Sequence, residues 1–172
     1  YGPGFLTVFL QGSLLNEEAP AARFLLDWVK IEQLETYTDR DIAQKLGLEE
    51  QPPVQVGDPQ RILWVRGLYD DLYRIDKALD QAFPQANVSK VYQRRGLPMT
   101  AAELAPYGTI VMPNVPVSGD ISALNITARK AYVDWVKAGG HLVILGGSLS
   151  LGQGSMKGTF FEDILPCEEV PI

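Results

Sequence analysis

The chain has 172 residues, a formal net charge of −6 and 46% hydrophobic residues, a balance typical of a globular protein. The acidic excess argues against a nucleic-acid partner, because binding to phosphates requires a basic surface. No apolar run approaches ~18–20 residues, so no membrane span is predicted in this segment. The single Cys excludes an internal disulfide, and together with the single His it argues against a zinc site.

The start of the chain and its single Cys bear on whether it is part of a longer protein and on its cellular compartment. It opens at Tyr1-Gly2-Pro3-Gly4 without an initiator Met, and we expect it to be a fragment of a longer protein. One Cys fits a reduced cytosol and also an exported domain without disulfides. Both compartments therefore stay open, with the cytoplasm favoured.

Residues 1–60 are predicted to form an N-terminal appendage of helical and extended segments. A strand is expected at 5–10 and an amphipathic helix at 16–30. Thr38 is predicted to cap a short helix over residues 39–46 that ends at Gly47. Residues 49–60 contain three Pro and one Gly, which indicates a linker or crossing loop. We therefore place the domain boundary at residue 60.

From residue 61 to 172 the pattern alternates between strands and helices. Short apolar runs predict strands at 61–66, 88–92, 109–112 and 142–145. Helices are predicted at 70–83, after Thr100 with its capping-box partner Glu103, and at 124–136 before Gly139 and Gly140. One or two helical turns are expected at 159–165. Such alternation with short loops predicts right-handed βαβ units and a thin parallel sheet.

The fourth predicted strand runs directly into a glycine turn, and this is the strongest functional signal. In open α/β sheets, ligands bind beyond the carboxyl ends of the strands. The candidate ligand-binding residues in this region are Gly146, Gly147, Ser148, Gly152 and Gly154. The spacing is that of a phosphate loop, but Gln153 replaces the Lys that nucleotide hydrolysis requires. The other interpretation is a mobile loop whose glycines adopt positive φ.

Three arginines are candidates for binding a small anionic ligand. Arg66 ends the first strand of the α/β region, whereas Arg94 and Arg95 follow the second. Because the carboxyl ends of parallel strands share one edge, we expect these side chains to point there, where guanidinium groups suit a carboxylate or phosphate. The alternative is that they form ordinary ion pairs with Asp70, Asp71 or Glu103.

The only His and the only Cys are poorly placed for catalysis at that edge. His141 precedes the fourth strand, at the end opposite the glycine turn. Cys167 lies beside Glu168 and Glu169, whose charges disfavour a reactive thiolate. We interpret both residues as incidental.

Four stretches taken together carry a family resemblance. They are YGTIVMPNVP at 107–116, YVDWVKAGGHLVILGG at 132–147, LGQG at 151–154 and GTFFEDILP at 158–166. The region from 61 to 166 resembles the class I glutamine amidotransferase-like superfamily, specifically its members without the nucleophilic Cys. The resemblance implies an α/β, flavodoxin-like three-layer sandwich with a parallel sheet.

In catalytic members of that superfamily, a Cys stands on a sharp turn after the strand equivalent to 142–145, backed by a downstream His and Glu. In this chain the position falls at Gly146, and no His follows it. A glycine cannot attack an amide, so acyl-enzyme chemistry has no starting atom. Ser148 is close, but a serine without a base is inert.

The resemblance therefore implies a non-catalytic domain, without cofactor or metal, that serves ligand binding or protein assembly within a larger bacterial protein. Arg66, Asn114 and the glycine turn are its candidate ligand-binding residues. The alternative is a hydrolase or transferase on a sugar or amide substrate, with catalytic groups supplied by further sequence or a partner chain. A third hypothesis is a structural subunit whose first 60 residues clasp a neighbour.

Overall fold

The computed structural model describes residues 38–48, 54–67, 75–93, 95–118, 122–147, 150–151 and 156–166. The strand expected at 5–10 and the helix expected at 16–30 lie outside these residues. The described elements in chain order are α1 (Asp39–Leu46), β1 (Asp58–Arg66), α2 (Ile75–Ala82), β2 (Asn87–Tyr92), α3 (Ala101–Leu104), β3 (Tyr107–Pro113), α4 (Ile126–Lys137), β4 (His141–Leu145) and a 3₁₀ helix (Phe160–Ile164).

The four described strands form one parallel sheet in the order β2-β1-β3-β4. This confirms the predicted α/β architecture, and the order is that of the flavodoxin-like doubly wound fold. Strand side chains alternate between two faces, and each face is covered by helices. Leu63 and Val65 face the larger hydrophobic cluster together with α4, whereas Ile62 and Trp64 face the smaller one together with Leu79 of α2. The result is a three-layer sandwich.

Helix α4 supplies much of the larger cluster. Ala128, Ala131, Tyr132 and Trp135 are fully buried, as expected for residues three or four apart on one helix face. The helix ends at Lys137, just before Gly139 with its positive φ of 106°, so the predicted glycine stop is confirmed. A Cβ added to Gly140 would lie 2.4 Å from the Trp135 ring, so packing requires glycine there as well. Burial raises the pKa of Tyr132, so its phenol stays neutral.

Helix α1 has the bounds and caps that the sequence predicts. The Thr38 hydroxyl accepts a hydrogen bond from the Asp41 amide, the Asp41 carboxylate accepts one from the Thr38 amide, and Gly47 has a left-handed φ of 60°. The Thr38 hydroxyl also donates to the Asp41 carboxylate at 2.7 Å, and this bond, together with the one from the Thr38 amide, lowers the pKa of Asp41. The helix belongs to the same compact unit as the sheet, although it precedes the boundary predicted at residue 60.

The described residues just before β1, 54–57, pack against the sheet. Val54 and Val56 pack partly against the larger cluster, and the Gly57 amide donates to the Tyr107 carbonyl at 3.0 Å. Strand β1 begins at Asp58, three residues before its predicted start. Among the helices that the structure describes, none has the length and apolar character needed to cross a bilayer.

Candidate functional site

The four strands end at a common register. Arg66 of β1 lies opposite Tyr92 of β2, and Pro113 of β3 lies opposite Leu145 of β4. We use the name carboxyl edge for the residues that follow these ends: Gln93 after β2, Gly67 after β1, Asn114 after β3, and Gly146 and Gly147 after β4.

The strand order reverses between β1 and β3, because β2 lies on one side of β1 whereas β3 and β4 lie on the other. Strand β1 is followed along the chain by α2, which packs on the smaller cluster, whereas β3 is followed by α4, which packs on the larger cluster. The chain therefore leaves two adjacent strands toward opposite faces of the sheet. In open α/β folds this arrangement opens a crevice in which ligands bind.

Two glycines allow the strand ends to meet Asn114 closely. A Cβ added to Gly67 would lie 2.0 Å from the Pro113 carbonyl oxygen, and a Cβ added to Gly147 would lie 2.4 Å from Asn114 Oδ1. Both distances are far below van der Waals contact, so only glycine fits at either position. Asn114 is thereby enclosed between the ends of β1 and β4.

Asn114 has the only left-handed backbone among the described residues other than glycine, with a φ of 48°. It is 5% exposed, and its amide donates to the Leu145 carbonyl at 2.9 Å. Asparagine tolerates this conformation better than most residues, but the conformation still stores strain and is common at functional sites. The sequence marked Asn114 as a candidate without indicating its backbone conformation.

The glycine turn is held by a residue that sequence reasoning did not single out. The Gly147 amide donates to the Ser150 hydroxyl at 2.8 Å, and the Ser150 amide donates back to the Gly147 carbonyl at 3.3 Å. Ser150 is fully buried. The expectation that a positive φ explains the glycines is wrong for Gly147, which is required instead for its close approach to Asn114.

Gly146, where the resemblance places the nucleophile, has an ordinary backbone. Its φ is outside the left-handed region, and an added Cβ would meet no atom within 4 Å. The strained residue of this edge is therefore Asn114, one strand away. Ser148, Gly152 and Gly154 lie outside the described residues.

The predicted arginine cluster is brought together only in part. The Arg66 guanidinium lies 4.8 Å from the Tyr92 ring centroid and donates to the Tyr92 hydroxyl at 2.7 Å. Arg66 lies two residues after Trp64 on β1, and residues two apart on a strand share a face. Arg66 is therefore on the face of the smaller cluster. Arg95 is exposed and forms an isolated bridge with Tyr92. Arg94 lies outside the described residues.

Gln93 is a carboxyl-edge residue that the sequence analysis missed. It is 5% exposed, yet neither its side-chain nitrogen nor its side-chain oxygen has a hydrogen-bond partner. The signal available in the sequence was a polar residue directly after a predicted strand.

An apolar groove adjoins the edge. It has a volume of about 240 Å³ and lies along β4, where its lining includes Leu142, Ile144, Leu151 and Ile164. Ile144 is two residues before Gly146, so the groove leads toward the glycine turn. Small-molecule sites commonly combine such an apolar wall with a few polar groups.

His141 lies at the far end of the same strand. It is the first residue of β4 and pairs with Thr109, at the amino end of the sheet. Four residue steps along a strand separate it from Leu145 by about 13 Å. The imidazole therefore cannot serve as a base at the carboxyl edge.

Comparison of the chain with protein-family models, curated proteins and solved structures finds no match. The resemblance to glutamine amidotransferase-like domains thus rests on the sequence motifs and stays a hypothesis. Within the described residues, the carboxyl edge offers two carboxamides, glycine backbone and an adjoining apolar wall. These groups can bind and orient a small molecule through hydrogen bonds.

Proposed function

We propose that this chain carries a non-catalytic, small-molecule-binding domain of the glutamine amidotransferase-like type, and that its ligand binds at the carboxyl edge. The observation that carries the proposal is Asn114, a buried residue with a left-handed backbone at the point where the strand order reverses. That conformation costs free energy, and the close packing of Gly67 and Gly147 around Asn114 holds the residue in it.

The surroundings of Asn114 suit a compact ligand. Its carboxamide is packed against Gly147, whose amide and carbonyl are fixed by Ser150, so the turn is preorganised. The space above Gly146 is open to a bound molecule. The groove along β4 supplies an apolar wall of about 240 Å³, which is small compared with drug-sized sites.

The same geometry supports binding rather than acyl transfer. The residue at the expected nucleophile position is Gly146, which has no reactive atom. The single His is at the opposite end of the sheet. An acyl-transfer site needs a nucleophile and a base within hydrogen-bonding reach of each other, and the described part of the edge brings no such pair together.

The test is a thermal-shift screen of the 172-residue chain against small neutral amides, polyols, sugars and carboxylates. A ligand at about 100 times its Kd stabilises the folded state by about 2.7 kcal/mol, which raises Tm by roughly 5–10 °C in a chain of this size. Asn114→Ala is expected to abolish the shift. Asn87→Ala is the matched control, because Asn87 is exposed at the amino end of β2.

Two results would contradict the proposal. A ligand shift that is equal in Asn114→Ala and in the unchanged chain would place the binding site elsewhere. Release of ammonia from glutamine by the purified chain would show that the domain is catalytic.

A further inference from the structure

Gln93 buries two hydrogen-bonding groups that the protein does not use. The residue is 5% exposed, and neither its donor nitrogen nor its acceptor oxygen has a partner. Most buried side-chain polar atoms are hydrogen-bonded, because a polar group that loses its hydrogen bonds to water and gains no new partner raises the free energy of the folded state. A buried carboxamide with both groups unpaired therefore calls for a specific explanation.

The backbone places this carboxamide at the carboxyl edge. The Gln93 amide donates to the Arg66 carbonyl at 3.0 Å, which extends the β1–β2 ladder by one bond. Because side chains alternate along a strand, Gln93 shares the face of Val91, which packs against the larger cluster. The β1–β2 register ends with Arg66 opposite Tyr92, and continuing it by one residue brings Gln93 level with Gly67, which has no side chain.

The other described unpaired groups do not have this combination. Trp64 Nε1 is a single donor inside the smaller cluster, and the Tyr132 hydroxyl lies inside the larger cluster. Gln93 instead presents a donor and an acceptor side by side, at the end of a strand where ligands of such sheets bind. Its position and its pair of groups point to recognition of a ligand.

We infer that Gln93 binds a carboxamide group of the ligand through two antiparallel hydrogen bonds, an inference that rests on the proposed binding function. The Gln93 N–H donates to the ligand carbonyl, and the ligand N–H donates to the Gln93 carbonyl. A carboxylate offers no donor to the Gln93 carbonyl, and burying its charge is costly. An ammonium offers no acceptor to the Gln93 N–H. Of these three groups, only the neutral amide satisfies both atoms in the side-by-side geometry of the Gln93 carboxamide.

The experiment compares two ligands of nearly equal shape. The ¹⁵N-labelled 172-residue chain is titrated with propionamide and, separately, with propionate, while the side-chain NH₂ signals of Gln93 are followed by NMR. Saturable shifts are expected with propionamide, and an apparent Kd at least roughly tenfold weaker is expected with propionate, since one of the two hydrogen bonds is lost and a charge must be buried. No movement with propionamide, as when water alone occupies the site, overturns the inference.

Variants separate this inference from the proposed function. Gln93→Met keeps the length of the side chain and removes both polar groups, so the propionamide response of nearby backbone amides should disappear. Tm of the ligand-free chain should rise by roughly 2–4 °C, because the unpaired groups are gone. Gln81→Met on α2 is the matched control, since Gln81 is exposed, and it should leave both measurements unchanged.

A propionamide response that persists in Gln93→Met overturns the inference. Gln93→Leu provides a second variant should the methionine protein fail to fold. Ligands found by the thermal-shift screen that depend on Asn114 but bind Gln93→Met normally would leave the proposed function intact and refute the role of Gln93. If no ligand shifts Tm at all, both fail.

Discussion

Of the two adjacent glycines at the end of β4, only Gly147 is required by its surroundings. At Gly147, a side chain would collide with Asn114, whereas at Gly146 it would enter open space. Neither residue has a left-handed φ, so conformational freedom does not explain the pair. The two glycines differ because Asn114, at the end of the neighbouring strand β3, lies against Gly147 alone. Substituting alanine at each position measures the effect of this contact on stability.

We expect Gly147→Ala to lower the free energy of unfolding by about 1–3 kcal/mol, because the new methyl group overlaps the Asn114 side chain. Gly146→Ala is the matched control and should change stability by less than about 1 kcal/mol, in the stabilising direction. Urea denaturation of the two variants measures both values. Equal destabilisation by the two alanines would contradict the described contact.

The double variant Gly147→Ala, Asn114→Gly should recover most of the stability lost in Gly147→Ala. Asn114→Gly removes the overlapping side chain and also suits the left-handed φ of 48°. A double-mutant cycle then gives a coupling free energy between the two positions. Purely additive effects would show that the contact does not cause the loss.

Residues whose roles are local could be predicted from the sequence. Thr38 and Thr100 cap the helices that follow them, and each capping box needs only a partner three residues away. The conformation of Asn114 and the unpaired amide of Gln93 could not be predicted, because they depend on which strand ends lie side by side. No local pattern contains that information.

At the scale of elements, one ion pair joins three helices. Arg129 of α4 donates to Asp39 of α1 through Nε at 2.6 Å and Nη2 at 2.5 Å. The same carboxylate accepts from the Phe160 amide of the 3₁₀ helix at 3.1 Å. Asp39 and Arg129 have side chains only 5% and 14% exposed, so water screens the pair weakly.

We expect Asp39→Ala to destabilise the fold by about 3 kcal/mol, because it leaves the Arg129 guanidinium buried without its counter-charge. Asp134→Ala is the control, since Asp134 pairs with Lys130 one turn away on the surface of α4, and such pairs contribute about 0.3–0.5 kcal/mol. Chemical denaturation of the Asp39→Ala and Asp134→Ala variants measures the free energy of unfolding of each. A similar small loss in both variants would mean that the α1 contact contributes little.

A second carboxylate, that of Asp163 in the 3₁₀ helix, also links α1, α4 and the 3₁₀ helix. It accepts hydrogen bonds from Arg40 of α1 and from Lys137 of α4. Burial raises the pKa of Asp163, but these hydrogen bonds and the two positive charges outweigh burial and hold the pKa below its ordinary value. The contacts between α1, α4 and the 3₁₀ helix should therefore weaken in acid.

The capping box of α3 gives a pH-dependent prediction. The Met99 amide bonds to the Glu103 carboxylate and, with the help of Thr100, lowers its pKa despite some desolvation. A lowered folded-state pKa contributes stability above the unfolded value near 4.3, and that stability is lost as pH falls through the folded value. Glu103→Gln should therefore reduce the stability difference between pH 6 and pH 3 in urea titrations. An unchanged difference would contradict the assignment.

At the scale of the whole molecule, β1 and β3 form the centre of the described sheet. Each has a strand on both sides, and each contributes fully buried residues, such as Leu63 and Ile110. Strands β2 and β4 occupy its ends and are more exposed. Stability should therefore be unequal across the sheet.

Native-state hydrogen exchange should show that inequality. We expect amides of β1 and β3 to exchange only on global unfolding, and amides of β2 and of α2 to exchange through smaller openings with lower free energies. The measurement is exchange followed by NMR at increasing sublethal urea concentrations. Equal protection in β2 and β1 would contradict a stability gradient from the centre outward.

The order of elements could be predicted from the sequence because apolar periodicity and helix caps report on segments of five to fifteen residues. The prediction succeeded for β3 and α4, whose signals are continuous. The predicted start of β1 is three residues too late, because Pro59 and Gly57 indicate a loop locally. The pairing of β1 with β3 overrides that signal, and Gly57 is held by Tyr107.

The vacant volume over Gly146 also makes the chain suitable for chemical labelling. With Cys167 replaced by Ser, a Gly146→Cys variant would carry one thiol beside the crevice, and an environment-sensitive fluorophore attached there would signal occupancy directly. Exchanging two side chains would thus convert the fold into an optical sensor of the proposed ligand.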